Sequence, residues 1–184
     1  MQITETALPG VLLIQPKTFA DDRGFFLETY QTSRYQELGI NKPFVQDNLS
    51  RSRKGVLRGL HYQLPHLQGK LVFVIRGSVL DVVVDIRVGS PTFGKWISHE
   101  LNDENHMQLY IPEGFAHGFA TLSDEVDFIY KCTDYYNPAC EKGVLWNDPD
   151  LNIPWQVESP LLSPKDLQHK CLKDISPDIL PHYK

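Results

Sequence analysis

The sequence has few cysteines, no long apolar run and no excess of positive charge. Its three cysteines are Cys132, Cys140 and Cys171, and no two of them form a CxxC pair. This odd, sparse set predicts neither a disulfide framework nor a zinc ribbon. No apolar stretch approaches the roughly 20 residues that a membrane-spanning helix needs, and the N-terminus lacks the regions of a secretion signal. We therefore expect a cytoplasmic protein with reduced thiols and no membrane partner.

Basic residues are outnumbered by acidic ones. The chain carries 18 Lys and Arg against 23 Asp and Glu, which gives a formal net charge of −5. Nucleic-acid binding through counterion release needs a basic surface or stripe. Only the short cluster of Arg51, Arg53, Lys54 and Arg58 resembles one. We therefore predict that nucleic acid is not a partner.

The residues that are present favour a single all-β domain. The chain has 184 residues, with 13 prolines and 12 glycines spread along it and 11% aromatic residues. This distribution is typical of many short strands joined by turns. Segments rich in β-branched and aromatic residues predict strands at 56–63, 70–75, 79–86, 96–101, 106–111, 115–122 and 126–133. Because no long helix separates them, an antiparallel sandwich, jelly roll or barrel is expected.

Helical signal is confined to short segments. Residues 32–38 predict a short helix, and Ser163, Pro164 and Asp166 together are typical of a helix start. Residues 135–156 form an irregular segment that is rich in aromatic residues and proline. We expect 168–184 to be a polar surface helix or tail.

Two histidines stand out because of their settings. His61 lies inside a predicted strand, and His117 ends a Pro-x-Gly-x-x-His motif that begins at Pro112. Either histidine alone is more often structural, but together they resemble the cupin superfamily of small jelly-roll barrels. The first cupin motif supplies His-x-His and a Glu as metal ligands, whereas this chain has His61, Tyr62 and Gln63 and no Glu close behind. An open metal site needs three protein ligands, so no metal is expected.

A closer resemblance covers nearly the whole chain. The sequence is similar to the dTDP-4-dehydrorhamnose 3,5-epimerase family, a metal-free branch of the cupins. The matching segments occur in one order: FADDRGFF at 19–26, FVQDN at 44–48, VLRGLHYQ at 56–63, QGKL at 68–71, SPTFG at 90–94, IPEGFAHGF at 111–119, WNDP at 146–149 and LSPKD at 162–166. The resemblance implies a cupin-type antiparallel jelly-roll barrel with short C-terminal helices and no cofactor.

The reaction of this family fits the chemistry of the matched residues. Its substrate is dTDP-4-keto-6-deoxyglucose, whose C4 ketone acidifies the C–H bonds at C3 and C5. Epimerisation needs a base, an acid across the ring and a group that holds the enolate. The resemblance implies His61 as base, Asp166 as its orienting partner and Tyr130 as acid. It also implies that Lys70, aided by His117, stabilises the enolate.

Each of these residues also has a structural interpretation. Asp166 occupies an ordinary capping position three residues after Ser163. Tyr130 shares one strand face with Val126, Phe128 and Cys132 and would serve equally as a core aromatic residue. A lysine at a strand end, such as Lys70, usually reaches solvent. From the residues alone these interpretations stay open, and only the resemblance favours catalysis.

Cationic and polar residues are assigned to the nucleotide. Arginine forks bind phosphate oxygens, and the resemblance places Arg23, Arg58 and Lys165 on the diphosphate. Strict alternation turns Arg58 and His61 to opposite faces, so we predict a bulge or bend at Gly59. The alternative for Arg58 is a surface ion pair. The other substrate-binding residues implied are Phe26, Glu28, Gln46, Asp47, Asn48 and Glu141.

The resemblance also implies a homodimer with exchanged N-terminal strands. Residues 1–50 are expected to cross to the partner, so that Arg23 and Glu28 complete its site. Residues 51–133 then form the barrel core, and 134–184 form an irregular and helical C-terminal segment of the same domain. Without the resemblance, Phe25, Phe26 and Phe44 read as plain core residues.

Other functions remain open at this point. A mono-epimerase or a 3,4-ketoisomerase shares the fold and the base but differs in the acid. A non-catalytic cupin would bind nucleotide sugars as a sensor, and a metal-dependent oxygenase is disfavoured by Gln63 and the missing Glu. Tyr130 with Asp166 favours the double epimerase, which produces dTDP-4-dehydro-L-rhamnose for dTDP-L-rhamnose synthesis.

Overall fold

The computed structural model describes residues 1–183, and strands account for most of the regular structure. The helical elements of the described residues are α1 (Thr32–Gln36) and three 3₁₀ turns, at Asp166–Gln168, Leu172–Asp174 and Pro177–Ile179. The strands are β1 (Gln2–Glu5), β2 (Leu12–Gln15), β3 (Thr18–Asp21), β4 (Gly24–Leu27), β5 (Gln46–Arg53), β6 (Leu57–Gln63), β7 (Lys70–Arg76), β8 (Ser78–Asp85), β9 (Trp96–Asn102), β10 (Gln108–Ile111), β11 (Phe115–Thr121), β12 (Glu125–Cys132) and β13 (Glu141–Gly143).

Two antiparallel sheets form the two walls of a jelly-roll barrel. The six-stranded sheet has the order β1-β2-β10-β7-β12-β5, and the five-stranded sheet has the order β13-β6-β11-β8-β9. Within residues 1–183, strands β3 and β4 form a separate two-stranded sheet. The prediction of an antiparallel all-β fold is confirmed. Each strand predicted between 56 and 133 is present with its ends shifted by no more than two residues.

The space between the sheets holds an apolar core. Side chains alternate along each strand, so that Phe115 and Phe119 of β11 point inward while Ala116 and Ala120 point to the outer face. Burial of one such large side chain contributes about 1.5–3 kcal/mol. The inward apolar set includes Val72, Val74, Val79, Val83, Leu109 and Phe128.

A second core lies outside the five-stranded sheet, where the C-terminal segment covers it. Leu60 and Val82 of the sheet pack there in one cluster with Trp155 and Leu172. The expectation of a polar tail at 168–184 is therefore wrong for the described residues, since Leu172, Ile175 and Leu180 are buried. The apolar residues of this segment are scattered among 3₁₀ turns, which produce no helical period. Lys184 lies outside the described residues.

The chain around α1 covers the outer face of the six-stranded sheet. Tyr35 and Ile40 pack there on Ile14 and Leu71. Helix α1 is shorter than the predicted 32–38, because Gly39 adopts a φ of +84° and turns the chain. Tyr35 is fixed by a hydrogen bond of 2.5 Å from its hydroxyl to Gln108 Oε1.

The β3–β4 hairpin projects from the barrel and exposes three aromatic rings. Phe19, Phe25 and Phe26 are 53%, 60% and 69% exposed. The core interpretation of Phe25 and Phe26 is therefore wrong, whereas Phe44 is partly buried against the cluster around Tyr35. Such an apolar surface is typical of a protein interface. No helix in the described part of the chain is long and apolar enough to span a membrane.

Candidate active site

A cavity of about 560 Å³ opens between the two sheets. This volume lies in the range of small-molecule sites, about 300–1,000 Å³. Most of the residues that the sequence predicted for the site line it: His61, Lys70, Tyr130 and Asp166 of the catalytic set, and Gln46, Asn48, Arg58, His117, Glu141 and Lys165 of the binding set. Two facing sheets and the C-terminal segment thus bring distant segments to one cavity.

His61 and Asp166 form a hydrogen-bonded pair in one wall of the cavity. His61 Nε2 lies 2.5 Å from Asp166 Oδ1, and the Ser163 hydroxyl donates to Asp166 Oδ2 at 2.9 Å. Burial alone would raise the pKa of Asp166, but the contacts with His61 and Ser163 hold it below its ordinary value. The carboxylate therefore stays charged and fixes His61 with Nε2–H towards it. His61 Nδ1 then carries the free lone pair.

Asp166 serves both as a cap and as the partner of His61. Its backbone N–H donates to Ser163 Oγ at 3.2 Å, as in a cap, while its side chain reaches His61. The predicted helix start is a single 3₁₀ turn, Asp166–Gln168, rather than a longer helix. Within this turn the backbone N–H groups of Leu167 and Gln168 donate to the carbonyl oxygens of Ser163 and Lys165.

A bulge at Gly59 places Arg58 and His61 in the same cavity. His117 of β11 pairs with His61, whereas Phe119 pairs with Arg58, so β6 holds one extra residue between these two pairs. Gly59 has a φ of +120°, and a Cβ there would lie 2.6 Å from Gly118 Cα. Only glycine allows this close approach. The predicted bulge is confirmed.

Tyr130 and Lys70 stand in the six-stranded sheet, across the cavity from His61. Lys70 is the cross-strand partner of Cys132 on β12, two residues after Tyr130. Burial raises the pKa of Tyr130, so the phenol keeps its proton at neutral pH. Burial lowers the pKa of the Lys70 ammonium, while the negative charge of Asp81 opposes that shift. The wall facing His61 therefore combines a protonated phenol with a lysine.

A second buried histidine–carboxylate pair lies beside Lys70. His117 Nε2 is 2.9 Å from Asp81 Oδ2, and Asp81 is fully buried. Burial lowers the pKa of His117, against the effect of Asp81, so the ring is neutral at neutral pH. The sequence interpretation missed Asp81, although a carboxylate inside the apolar run of β8 was a signal for it.

Charged and aromatic side chains meet at the mouth of the cavity. Glu141 Oε2 accepts a hydrogen bond from the Tyr136 hydroxyl at 3.1 Å and pairs with Lys165 Nζ. Gln46 accepts from the Tyr136 backbone N–H and donates to Asn48 Oδ1, both at 2.8 Å. Tyr136 and Arg53 also line the cavity and were missed by sequence reasoning. Tyr136 lies in the segment 135–156, where the sequence has many aromatic residues but no motif that points to a site.

The donor set of a cupin metal site does not fit these residues. The side chain of Gln63 is held by the backbone, since Nε2 donates to the carbonyl oxygens of His66 and Tyr135 and Oε1 accepts from Asn137. His117 Nε2 is used by Asp81. Gln63 thus fixes the loop beside the cavity instead of pointing its amide at a metal.

Four predicted residues do not reach the cavity of their own chain. Arg23 bonds to Asp21 on the exposed hairpin, and Glu28 accepts from Arg34 at 2.8 Å. Phe26 is exposed on the same hairpin. Asp47 Oδ2 lies 2.7 Å from Lys131 Nζ, because its side chain points away from those of Gln46 and Asn48 on β5.

Comparison with known proteins identifies the family. The family model described as dTDP-4-dehydrorhamnose 3,5-epimerase matches residues 5–174. The chain belongs to the dTDP-4-dehydrorhamnose 3,5-epimerase family. A Shigella flexneri protein of that name is 54% identical over 169 residues, which make up 91% of this chain and 93% of the relative.

Two further relatives extend this result. A Neisseria gonorrhoeae dTDP-4-dehydrorhamnose 3,5-epimerase is 56% identical over 92% of this chain, and this chain spans only 52% of that relative. A crystal structure of the dTDP-6-deoxy-D-glucose-3,5-epimerase of Legionella pneumophila Philadelphia 1, in complex with dTDP-4-keto-L-rhamnose, superposes with a TM-score of 0.97 at 54% identity. It covers 100% of this chain, and this chain covers 98% of it. The expected membership of the epimerase family is confirmed.

Proposed function

We propose that this chain epimerises dTDP-4-dehydro-6-deoxyglucose at C3 and C5 and forms dTDP-4-dehydro-L-rhamnose, as a step of dTDP-L-rhamnose synthesis. The proposal depends above all on the His61–Asp166 pair, which faces Tyr130 across the cavity. A base on one wall and an acid on the other are what inversion at a carbon beside a ketone requires.

His61 is the base. Asp166 holds the His61 ring with Nε2–H towards the carboxylate, and Nδ1 makes no hydrogen bond among residues 1–183. Nδ1 removes a proton from the carbon beside the C4 ketone, and the positive imidazolium that forms is stabilised by the Asp166 carboxylate. The Ser163 hydroxyl keeps that carboxylate in place.

Tyr130 donates its phenol proton to the carbon from the other face of the sugar ring. Its raised pKa means that the phenol is protonated when the enolate forms. Lys70 stabilises the enolate oxygen. An anion that develops beside Lys70 raises the pKa of the ammonium again, so that its positive charge is stabilised when the reaction needs it. His117, fixed by Asp81, offers a second neutral contact beside it.

Arg58 and Lys165 bind the diphosphate, joined by Arg53. Arg58 is oriented by a hydrogen bond of 3.1 Å from its Nε to Ser52 Oγ, which leaves the outer edge of its fork for phosphate. Lys165 is held by Glu141 at the cavity mouth and exchanges that partner for the ligand. Gln46, Asn48 and Glu141 contact the sugar and the nucleotide.

The working unit is a homodimer with exchanged arms. The exposed β3–β4 hairpin carries Arg23 and Phe26, and Glu28 follows it. On the partner these residues bind the diphosphate and the base, with Phe26 stacked on the base. Within the expected 1–50 segment, the part that crosses is therefore the β3–β4 hairpin with Glu28, because β2 and β5 pair with strands of their own barrel. Asp47 lies outside the cavity and contributes through its ion pair with Lys131.

Proton exchange in deuterium oxide tests the proposal. The wild-type protein is expected to exchange the protons at both C3 and C5 of dTDP-4-dehydro-6-deoxyglucose for deuterium. Proton NMR monitors this exchange. His61→Asn is expected to slow exchange by about 10²–10⁴-fold, since a positioned general base contributes this much. His182→Asn, at an exposed histidine away from the cavity, is the matched control and should exchange normally.

Each contrary result identifies a different function. Exchange at one carbon only would make the chain a mono-epimerase, and appearance of a 3-keto product would make it a 3,4-ketoisomerase. Binding of dTDP without any exchange would leave a non-catalytic nucleotide-sugar module. Normal exchange by His61→Asn would remove His61 from the role of base.

A further inference from the structure

His169 lies directly beside the His61–Asp166 pair and has no part in the proposed reaction. Its ring meets the His61 ring edge to face, with the ring centroids 5.9 Å apart. Its Nε2 lies 3.8 Å from Asp166 Oδ1. Gly143, the cross-strand partner of His61, leaves the space for this ring, because a Cβ at Gly143 would collide with the His169 imidazole.

The buried nitrogen of His169 is unpaired. Its Nε2 is shielded from solvent and makes no hydrogen bond to any of residues 1–183. Burial lowers the pKa of His169, and the nearby His61 lowers it further, so the ring is neutral at neutral pH. The Nε2 atom of this imidazole and the Oδ1 atom of Asp166 therefore lie 3.8 Å apart without a hydrogen bond between them. A cation would satisfy both.

We propose that His61, Asp166 and His169 form an inhibitory site for a transition-metal cation, with Zn²⁺ as the representative ion. One ligand atom from each of the three side chains lies within 4.8 Å of the other two. Two imidazoles and one carboxylate are a typical three-ligand set for Zn²⁺, with the fourth position left for water.

The distances require little movement. Metal–ligand bonds of about 2.0–2.2 Å place the ligand atoms of a tetrahedral site roughly 3.3–3.5 Å apart. The 2.5 Å separation of His61 Nε2 and Asp166 Oδ1 must therefore open by about 1 Å, and the 3.8 Å separation of His169 Nε2 and Asp166 Oδ1 must close by less than that. Both changes are about 1 Å or smaller.

Metal binding would inactivate the base by fixing its tautomer. A neutral imidazole carries one proton, and a cation on His61 Nε2 moves that proton to Nδ1. Nδ1 then has no lone pair with which to accept a proton from the sugar. The ring keeps the same number of protons and only its tautomer changes. When the metal leaves, the proton can move back to Nε2 and the inhibition is reversed. The effect on turnover rests on the proposed function, whereas metal binding itself does not.

Cobalt binding provides the direct test. Protein stripped with EDTA and desalted is titrated with Co²⁺, whose visible absorption reports tetrahedral nitrogen and oxygen ligands. We expect one Co²⁺ per chain, displaced by Zn²⁺, and loss of epimerase turnover with Zn²⁺ that EDTA reverses. His169→Gln should weaken both effects about tenfold or more while turnover without metal is retained. His182→Gln, an exposed histidine, should behave like the wild type.

A second variant protects the test against misfolding. His169→Cys keeps a zinc ligand at this position, so it should bind and be inhibited by Zn²⁺ where His169→Gln does not. The proposal is wrong if His169→Gln binds cobalt and responds to zinc as the wild type does. It is also wrong if the wild type shows neither a cobalt spectrum nor inhibition in excess zinc. A protein without turnover would refute the proposed function, yet its cobalt titration would still report on the site.

Discussion

The protonation state of Tyr130 is the residue-scale feature on which the proposed inversion depends. Burial between the sheets raises the pKa of its phenol, so Tyr130 is a proton donor over the whole neutral range. On the opposite wall, the His61–Asp166 pair can accept a proton. The two walls therefore separate the proposed acid, Tyr130, from the proposed base, His61.

Removal of the Tyr130 hydroxyl should uncouple proton loss from inversion. Tyr130→Phe keeps His61, so C–H exchange persists, while formation of the inverted product is expected to fall by about 10²–10⁴-fold because the acid is missing. Product is measured by proton NMR. Tyr110→Phe is the control, since Tyr110 packs outside the six-stranded sheet. Equal product formation by the two variants would show that another group delivers the proton.

Individual roles were predictable only where a residue carries a motif. Asp166 alone reads as a cap, and the structure shows that capping and bonding to His61 use different atoms of one residue. The sequence did not predict roles for Asp81 and His169. Asp81 meets His117 through strand pairing, and His169 meets Asp166 at a turn. Neither contact leaves a short-range pattern in the sequence.

The bulge in β6 is the element-scale device that turns Arg58 and His61 to the same side. Gly59→Ala should cost about 3 kcal/mol, because its Cβ meets backbone atoms of β11 that cannot move aside and its φ is unfavourable for an L-residue. Urea unfolding at constant m-value measures the loss. We also expect a lower kcat/KM, since Arg58 and His61 would no longer share one geometry.

Gly89→Ala separates the clash from the backbone strain. Gly89 has a φ of +84°, but among residues 1–183 only its own chain neighbours could lie within 4 Å of an added Cβ. It should therefore cost only about 1–2 kcal/mol. Equal losses at the two positions would mean that close packing at Gly59 is unimportant.

The turn after β8 is organised by one buried carboxylate, Asp85. It accepts hydrogen bonds from Arg87, Ser90 and Thr92 at 2.6–3.0 Å. Burial alone would raise the pKa of Asp85, but these donors together hold it below the ordinary value. Unfolding returns the pKa to about 3.9, so the unfolded chain takes up a proton first as the pH falls.

Asp85 should therefore stabilise the fold at neutral pH and lose this effect in acid. Its contribution is complete above the unfolded pKa and disappears as the pH falls from about 4 through the lower folded pKa. Asp85→Asn is expected to be about 3 kcal/mol less stable at pH 7 and to show a smaller decrease below pH 4. Urea unfolding at several pH values measures this. Asp22→Asn, at an exposed position, should follow the wild type; an identical pH profile for Asp85→Asn would contradict the argument.

Strands were more predictable than the segments that cover them. Alternation and turn residues locate β6 to β12 because each strand has one face in the barrel. The C-terminal segment has no such period, since its 3₁₀ turns bury Leu172, Ile175 and Leu180 at irregular intervals. The polar residues between them made it look like a tail.

At the scale of the whole molecule, the exposed β3–β4 hairpin predicts a site shared between two copies. Hybrid dimers with Arg23→Ala in one chain and His61→Asn in the other, isolated through two different tags, test the exchange. If the arms cross, one barrel receives both intact residues and the hybrid shows about half of the wild-type activity. The other barrel has both changes and is inactive.

The parent dimers provide the controls for this measurement. His61→Asn dimers should be inactive, and Arg23→Ala dimers should bind substrate weakly, with a raised KM. If Arg23 serves its own chain, each barrel of the hybrid carries one defect. A hybrid no more active than the mean of its parents would therefore reject the exchange.

The separation of His61 and Asp166 along the chain makes the proposed activity depend on the C-terminal segment. Their side chains bond across 105 positions, and the carboxylate enters only after every barrel strand has been made. A chain that ends after β13 would lack Asp166 and the other C-terminal residues that line the cavity, so the His61 ring would have no carboxylate to orient it. We therefore expect activity to appear only after the segment that carries Asp166 has been made.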